Sequence, residues 1–321
     1  MLRDGTEVPS VGLGFWKIPK PMTGDVLFDA VSIGYRHLDC ACDYGNESEA
    51  GDGLRRVWNE TDVRRDDLWV TSKLWNTYHR PEHVASACQR SLDDLGLDHL
   101  DLYMIHFPIS QRFVPFDERY PPEWFFDPHA ESPQMELDPV PIVETWQAMV
   151  ELRDRGLVRH VGVCNFGTSL LRDLLASTET PPEMLQIELH PKLCQNRLLR
   201  YCREQQIAVT AFSPLGATSY VSIGMAAESD SLLNDPQVQS VASDIGRTPA
   251  QVLLRWGLQR GTAVITKSQS PDHLRDNLAL FDFELDAAQM ESLTSLDQHR
   301  RYNDPGDFCE TAFHTFCPIF D

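Results

Sequence analysis

Eight short apolar runs, each closing on a polar or glycine-rich turn, constrain this chain more than any other feature. They are "VGLGFW" (11–16), "RHLDCA" (36–41), "LWVTSKLW" (68–75), "LDLYMIHFP" (100–108), "HVGVCNF" (160–166), "LQIEL" (185–189), "AVTAFSPLG" (208–216) and "TAVITKS" (262–268). Each reads as a strand. Between them lie amphipathic stretches such as "TGDVLFDAVSIG", "PEHVASACQRSLDDLG", "PIVETWQAMVELRDRG", "TSLLRDLLAS" and "TPAQVLLRWGLQRG", several closing on a glycine suited to a helix C-terminus. Strands alternating with helices imply a parallel sheet. Eight such units in 321 residues, with no linker-like break, favour one closed (β/α)8 TIM barrel over two domains. The expected unit is therefore a single barrel domain spanning 1–321. "LRDGTEVPS" carries turn chemistry at Asp4 and Gly5 and predicts a small N-terminal β-hairpin across the barrel bottom.

Two long connections break the rhythm. Residues 109–140 follow the fourth strand and are rich in proline and aromatics, and residues 217–236 follow the seventh. Loops this long in a compact domain are functional or disordered. Phe113, Phe116, Tyr120, Trp124, Phe125 and Phe126 argue for order in the first. Both follow strand C-termini, the catalytic face of such a barrel.

The net charge of −20 would repel nucleic-acid phosphates and an anionic membrane surface, so a small-molecule partner is expected, with no nucleic acid and no membrane. No apolar run approaches the roughly 20 residues of a membrane span, and "MLRDGTEVPS" lacks a basic-then-apolar leader pattern. A cytoplasmic protein is the expectation. Eight cysteines (40, 42, 88, 164, 194, 202, 309 and 317) form no CxxC pair, which points to reduced, buried thiols. Lysine is scarce, five against twenty-three arginines, so a lysine within a motif carries weight.

Four polar groups fall at the ends of consecutive strands: Asp39 and Tyr44 after the second, Lys73 on the third and His106 on the fourth. Taken singly, each has an ordinary structural explanation. On a barrel, however, neighbouring strand ends point into one mouth, which unites an acid, a phenol, an ammonium and an imidazole. An ammonium beside a phenol favours phenolate and should lower the phenol pKa from about 10. Asp39 would keep Lys73 charged, and neutral His106 would hold and polarise a substrate oxygen. Such a set can protonate a carbonyl oxygen, but no side chain supplies the hydride the carbon then needs. A nicotinamide cofactor would.

At these residues the chain resembles the aldo-keto reductases over essentially its whole length, with "DYGNE", "SKLWN", "LDLYMIHFP", "GVCNFG", "LQIELHP", "AFSPLG" and "ITKSQSPDHLRDN" in the family's order. The resemblance implies a catalytic tetrad of Asp39, Tyr44, Lys73 and His106, with Tyr44 as general acid, on a barrel that binds NADPH or NADH without a Rossmann domain. It assigns Asn165 and Gln186 to the nicotinamide carboxamide, together with Cys164, which replaces the usual serine and is a poorer donor. Phe212 would stack on the ring in place of a tyrosine, and Ser213 and Leu215 would meet backbone and pyrophosphate. Lys267 and Ser268 fall to the 2′-phosphate region, Asp276 and Asn277 to adenine.

His273 stands where the family usually has an arginine, which carries a permanent charge and a bidentate fork that histidine lacks. Arg275, two residues on, would point about 200° around a helix and is a poor substitute. Weakened NADP preference, with use of both NADPH and NADH, is the expectation.

Within the family the chain is most similar to the xylose (aldose) reductases, through "FPISQRFVPFDERYPPEW", "VPIVETW", "RRYNDPGDF" and "CPIF". That similarity implies a sugar pocket lined by Trp16, Asp43, Trp75, Phe107 and Asn303, an aldose or aldehyde substrate, and a homodimer as one form of assembly. Gly306 replaces a customary tryptophan and predicts a wider pocket or looser tail. Competing readings are a broad-specificity reductase of non-sugar aldehydes, a non-catalytic NADPH-binding regulatory subunit on the same barrel, and a metal-dependent hydrolase using His37, Asp39 and the cysteines. The last lacks spaced ligand sets, and no metal is expected. If the second strand stays regular, Asp39 shares its face with His37 and Ala41, while Leu38, Cys40 and Cys42 turn outward as apolar filling.

Overall fold

The computed structural model describes residues 1–320. All eight strands form and pair in chain order as a closed parallel barrel: β1 Val11–Gly14, β2 His37–Asp39, β3 Trp69–Leu74, β4 Leu100–Ile105, β5 Val158–Cys164, β6 Met184–Glu188, β7 Ala208–Phe212 and β8 Ala263–Thr266. Val11, Gly12 and Leu13 pair with Val264, Ile265 and Thr266 and close the ring. The connecting helices are α1 Lys20–Ile33, α2 Glu47–Glu60, α3 Pro81–Leu95, α4 Ile142–Asp154, α5 Thr168–Ser177, α6 Asn196–Glu204, then α7 Pro236–Ile245 and α8 Pro249–Gln259 before β8, with α9 Pro271–Leu278, α10 Ala287–Thr294 and α11 Pro305–Phe313 after it.

The helices follow the apolar spacing. In α3 the buried residues are Val84, Ala87, Cys88, Ser91, Leu92 and Leu95, one stripe at three- and four-residue intervals against the barrel. Gly96 ends it in the left-handed region (φ 67°), its N–H returned to Leu92 and Asp93. Gly53 of α2 lies so close to Gly24 of α1 that a Cβ would sit 2.9 Å from the Gly24 carbonyl oxygen. Without a side chain at either position the two helices pack backbone to backbone.

Period-two alternation fills the barrel. Trp69, Leu102, Met104, Cys164 and Met184 form an interior apolar layer together with Leu2. The expected N-terminal hairpin does not form: a turn closes at Asp4–Gly5 through Leu2 N–H to Thr6 (2.8 Å), but residues 1–10 contribute no strand. Instead Leu2 is buried as a plug against the barrel interior, so hydrophobic burial rather than a ladder anchors this segment.

Cys40 and Cys42 are buried in the main core cluster alongside Leu38, between barrel and helices. Burial pushes both thiols well above their ordinary range, with nearby Glu47 adding to it. β2 ends at Asp39 and Cys42 sits in a short helical turn, Cys42–Tyr44, so its placement comes from that turn and not from strand alternation. A Cys40→Ala, Cys42→Ala double variant should keep kcat/KM while losing about 1 kcal/mol per sulfur in a urea titration. Lost activity with unchanged stability would refute the filling role.

Candidate active site

The alternation that packs the barrel floor carries Asp39, Lys73 and His106 to its C-terminal mouth. The turn after β2 brings Tyr44 over them. Lys73, with no exposed surface, spends its three donors on Asp39 Oδ2 (2.8 Å), the Cys40 carbonyl (2.9 Å) and Tyr44 Oη (3.1 Å). Burial works against the ammonium, but Asp39 and then Tyr44 more than offset it and raise its pKa. His106 meets Tyr44 edge to face at 5.8 Å between ring centres. Burial, then Lys73, drives its pKa well down, so the imidazole is neutral as expected.

Tyr44 departs from the sequence expectation. Burial raises the phenol, and the opposing pull of Lys73 is smaller. The expected net lowering is corrected: desolvation of a phenolate in this enclosed mouth outweighs one ammonium already committed to Asp39.

Above the four groups opens a cavity of about 570 Å³. Trp16, Asp43, Phe107 and Asn303 line it, as do Asn165, Gln186, Phe212, Ser213, Leu215, Lys267, Ser268 and His273. Four residues are placed differently. Trp75 is fully buried behind the wall, against His106 (5.3 Å) and Trp124 (4.8 Å), rather than facing the cavity. Asp276 is exposed and Asn277 buried, and neither lines it. Cys164 lies beneath, its Sγ 3.7 Å from Met104 Sδ and 4.0 Å from Gln186 Oε1. Arg275 pairs with Asp272 on the outer surface, as its helical position predicts.

Asp43 is half-buried, and desolvation followed by Glu123 pushes its carboxyl up to about 7. Gly306 does not loosen the tail. It starts α11 with its N–H on Asp304 Oδ1, and Pro318 closes over it so that a Cβ would lie 3.3 Å from the Pro318 Cα. Phe308 and Phe313 of the same helix line the cavity instead.

Sequence reasoning missed several groups. Lys17 reaches across from the loop after β1 to the Ser219 carbonyl (2.8 Å) and Ser222 Oγ (2.6 Å), tying that loop to the one after β7. Tyr220, stacked on Tyr302 at 5.8 Å and hydrogen-bonded to Ser213 Oγ (2.8 Å), also lines the cavity, as does Trp124 from the 109–140 connection. The lysine scarcity could have flagged Lys17, and the aromatic excess flagged Trp124 only as ordered. Backbone strain gave no sequence signal: Lys17, Asn165 and Ser213 take φ of 63°, 61° and 49°.

A mouth-facing acid, ammonium, phenol and imidazole above a filled (β/α)8 barrel, open to one long cavity, is the architecture of a barrel oxidoreductase. The aldo/keto reductase family profile matches residues 10–298, and the chain belongs to that family. It is 44% identical over 309 residues to an NADPH-dependent D-xylose reductase of Meyerozyma guilliermondii, covering 96% of each chain. It is 43% identical over 306 residues to an NAD(P)H-dependent D-xylose reductase of Pachysolen tannophilus, covering 95% of each. The solved aldose reductase of Schistosoma japonicum superposes with a TM-score of 0.86 at 35% identity, over 98% of this chain and 96% of that one.

Replacing Lys73 by Met would leave the Asp39 carboxylate buried without its cation, a loss of about 3–5 kcal/mol. Urea titration should show that loss. Adding Asp39→Asn, which makes the pair neutral, should recover the greater part of it.

Proposed function

We propose that this protein is an NAD(P)H-dependent reductase of the xylose reductase type, converting the open-chain aldehyde of an aldose to the alcohol of its polyol, with residues 1–321 acting as one catalytic domain. The observation that carries this reading is the phenol of Tyr44, 3.1 Å from a buried ammonium and on the wall of a cavity that Asp43, Asn303, Asn165 and Gln186 also line.

The acceptor pair in the cavity fits a nicotinamide. Asn165 gives its amide N–H to the His106 carbonyl (2.8 Å) and Gln186 gives its own to Asp39 Oδ1 (2.7 Å). Each is left offering an oxygen, and Asn165 Oδ1 is buried without a partner. Two acceptors match the two hydrogens of a carboxamide NH₂. Bound NADPH or NADH would supply hydride to the carbonyl carbon. Tyr44 then gives its proton to the carbonyl oxygen, neutral His106 orients that oxygen, and Lys73, held by Asp39, steadies the phenolate left behind.

Asp43 and Asn303 serve the sugar hydroxyls. A carboxyl that titrates near 7 both accepts from and donates to them at neutral pH. Trp16 and Phe107 supply apolar walls. With Trp124, Phe308 and Phe313 the lining is strongly aromatic, which favours a second activity on aromatic aldehydes. Eight free cysteines, seven of them buried, suit a reducing cytoplasm.

Steady-state kinetics on a panel of aldoses and aromatic aldehydes, each with NADPH and NADH, test the reading. Turnover of no aldose would defeat it. Tyr44→Phe should lower kcat by roughly a hundred- to ten-thousandfold while the Kd for NADPH, followed by protein fluorescence, stays unchanged. Undiminished turnover in that variant would remove Tyr44 from the chemistry.

Lys267 and Ser268 are the groups we assign to the 2′-phosphate, with His273 beside them in place of an arginine fork. The preference for NADPH over NADH should therefore stay below about a thousandfold. His273→Arg should increase it, and a wild-type preference above that bound would contradict the assignment.

A further inference from the structure

Glu188, the last residue of β6, has no exposed surface and does not line the cavity. Its carboxylate nevertheless reaches across 114 residues of sequence: Oε1 accepts the Tyr302 N–H (2.9 Å) and Oε2 the Asn303 N–H (2.8 Å). His190 Nε2 lies 2.9 Å from Oε1. A carboxylate only accepts, so His190 carries its proton on that nitrogen. No lysine or arginine among the described residues pairs with Glu188 within 4.0 Å. Its negative charge is held by two consecutive backbone N–H groups and an imidazole.

The segment between α10 and α11 has no helix or strand of its own to fix it. Besides the fork on Glu188, the Arg300 N–H on the Lys192 carbonyl (2.9 Å) holds it, and the Tyr302 ring packs on His190 at 5.4 Å. Consecutive N–H groups bound to the two oxygens of one carboxylate set the rotation of the peptide between them. The next side chain out is that of Asn303, which lines the cavity. Gln186, two residues earlier on the same strand and face, is held by Asp39. One rigid strand end thus registers both the groove and the tail.

We propose that Glu188 is a specificity-determining positioning residue: by clamping the Tyr302–Asn303 backbone it sets the Asn303 amide where it meets the hydroxyls of an aldose, and contributes nothing to the reduction itself. The proposal rests on the aldose reading above and predicts a loss confined to hydroxylated substrates.

Glu188→Gln keeps the volume but turns an NH₂ donor against a backbone donor. It should raise KM for D-xylose about tenfold, the scale of one buried charge-assisted hydrogen bond. The kcat for D-xylose and the kcat/KM for benzaldehyde, which has no hydroxyls, should stay unchanged. In an Asn303→Ala background the same substitution should add no further rise in xylose KM, because the two act as one unit.

Equal losses on xylose and benzaldehyde, or full additivity with Asn303→Ala, would overturn the proposal and reduce Glu188 to a fold support. A wild-type enzyme that reduces benzaldehyde but no aldose would instead overturn the aldose reading, and this proposal with it. If Glu188→Gln does not fold, Glu188→Asp retains the charge while drawing the oxygens back. It should give a smaller rise in xylose KM with the same selectivity, and equal losses on both substrates would again overturn the role.

Discussion

Everything in this molecule is arranged around an ammonium with no access to water. Lys73 is held inside the barrel mouth by Asp39 at 2.8 Å, a backbone carbonyl and a phenol. Taking two ions out of water costs several kcal/mol each, and their mutual attraction offsets this only when geometry and the remaining hydrogen bonds are complete. Here they are: all three ammonium donors are used, and the second oxygen of Asp39 is taken by Gln186 at 2.7 Å. The pair therefore demands three strands, β2, β3 and β6, in fixed mutual register. A closed barrel with a packed interior supplies that better than an open sheet, whose edges can slip.

The substrate end is built on a different principle. It is assembled from segments without regular structure, and aromatic packing substitutes for ladders. Trp124 of the 109–140 connection stacks on Phe313 of α11 at 5.3 Å and meets Trp75 at 4.8 Å. Phe113 and Phe116 dock against His83 and Tyr78. Two backbone-directed bonds, Met135 N–H to the Phe313 carbonyl and Thr315 Oγ to the Met135 carbonyl, stitch connection and tail together. Walls of this kind can change shape while the ion pair beneath stays fixed, because no wall residue bears on Lys73 and Asp39 directly.

The division explains what could be read from the sequence. Strand alternation is a local rule, so the eight strands and the inward faces of Asp39, Lys73 and His106 were legible. Cys40 followed the same rule, whereas Cys42 reached the core through a turn that alternation does not describe. Long-range contacts were not legible. Trp75 sits two residues beyond inward-facing Lys73, yet Trp124, arriving from about fifty residues later, covers it. Lys17 meets Ser219 and Ser222 only because two loops converge, and Gly306 looked like an opening because Pro318, which closes it, comes from the far end of the tail. The N-terminal turn was read correctly from Asp4 and Gly5, but the hairpin was not, since nothing in that decapeptide announces that Leu2 is worth more as a plug.

The one electrostatic expectation that failed clarifies the mechanism. A neighbouring ammonium was expected to lower the phenol pKa, but burial raises it further than Lys73 pulls it down. Resting Tyr44 therefore keeps its proton, and the site stores no phenolate to be quenched between turnovers. Stabilisation by Lys73 becomes available only as the proton leaves, when negative charge grows on the phenol oxygen 3.1 Å from the ammonium. An interaction that strengthens as the reaction advances lowers the barrier, whereas one already present in the ground state only deepens the starting well. By holding Lys73 charged where it has no exposed surface, Asp39 would, on the proposed mechanism, keep that stabilisation in reserve for proton transfer from Tyr44. The pair that costs the fold most is thus the one whose charge the proposed reaction would use.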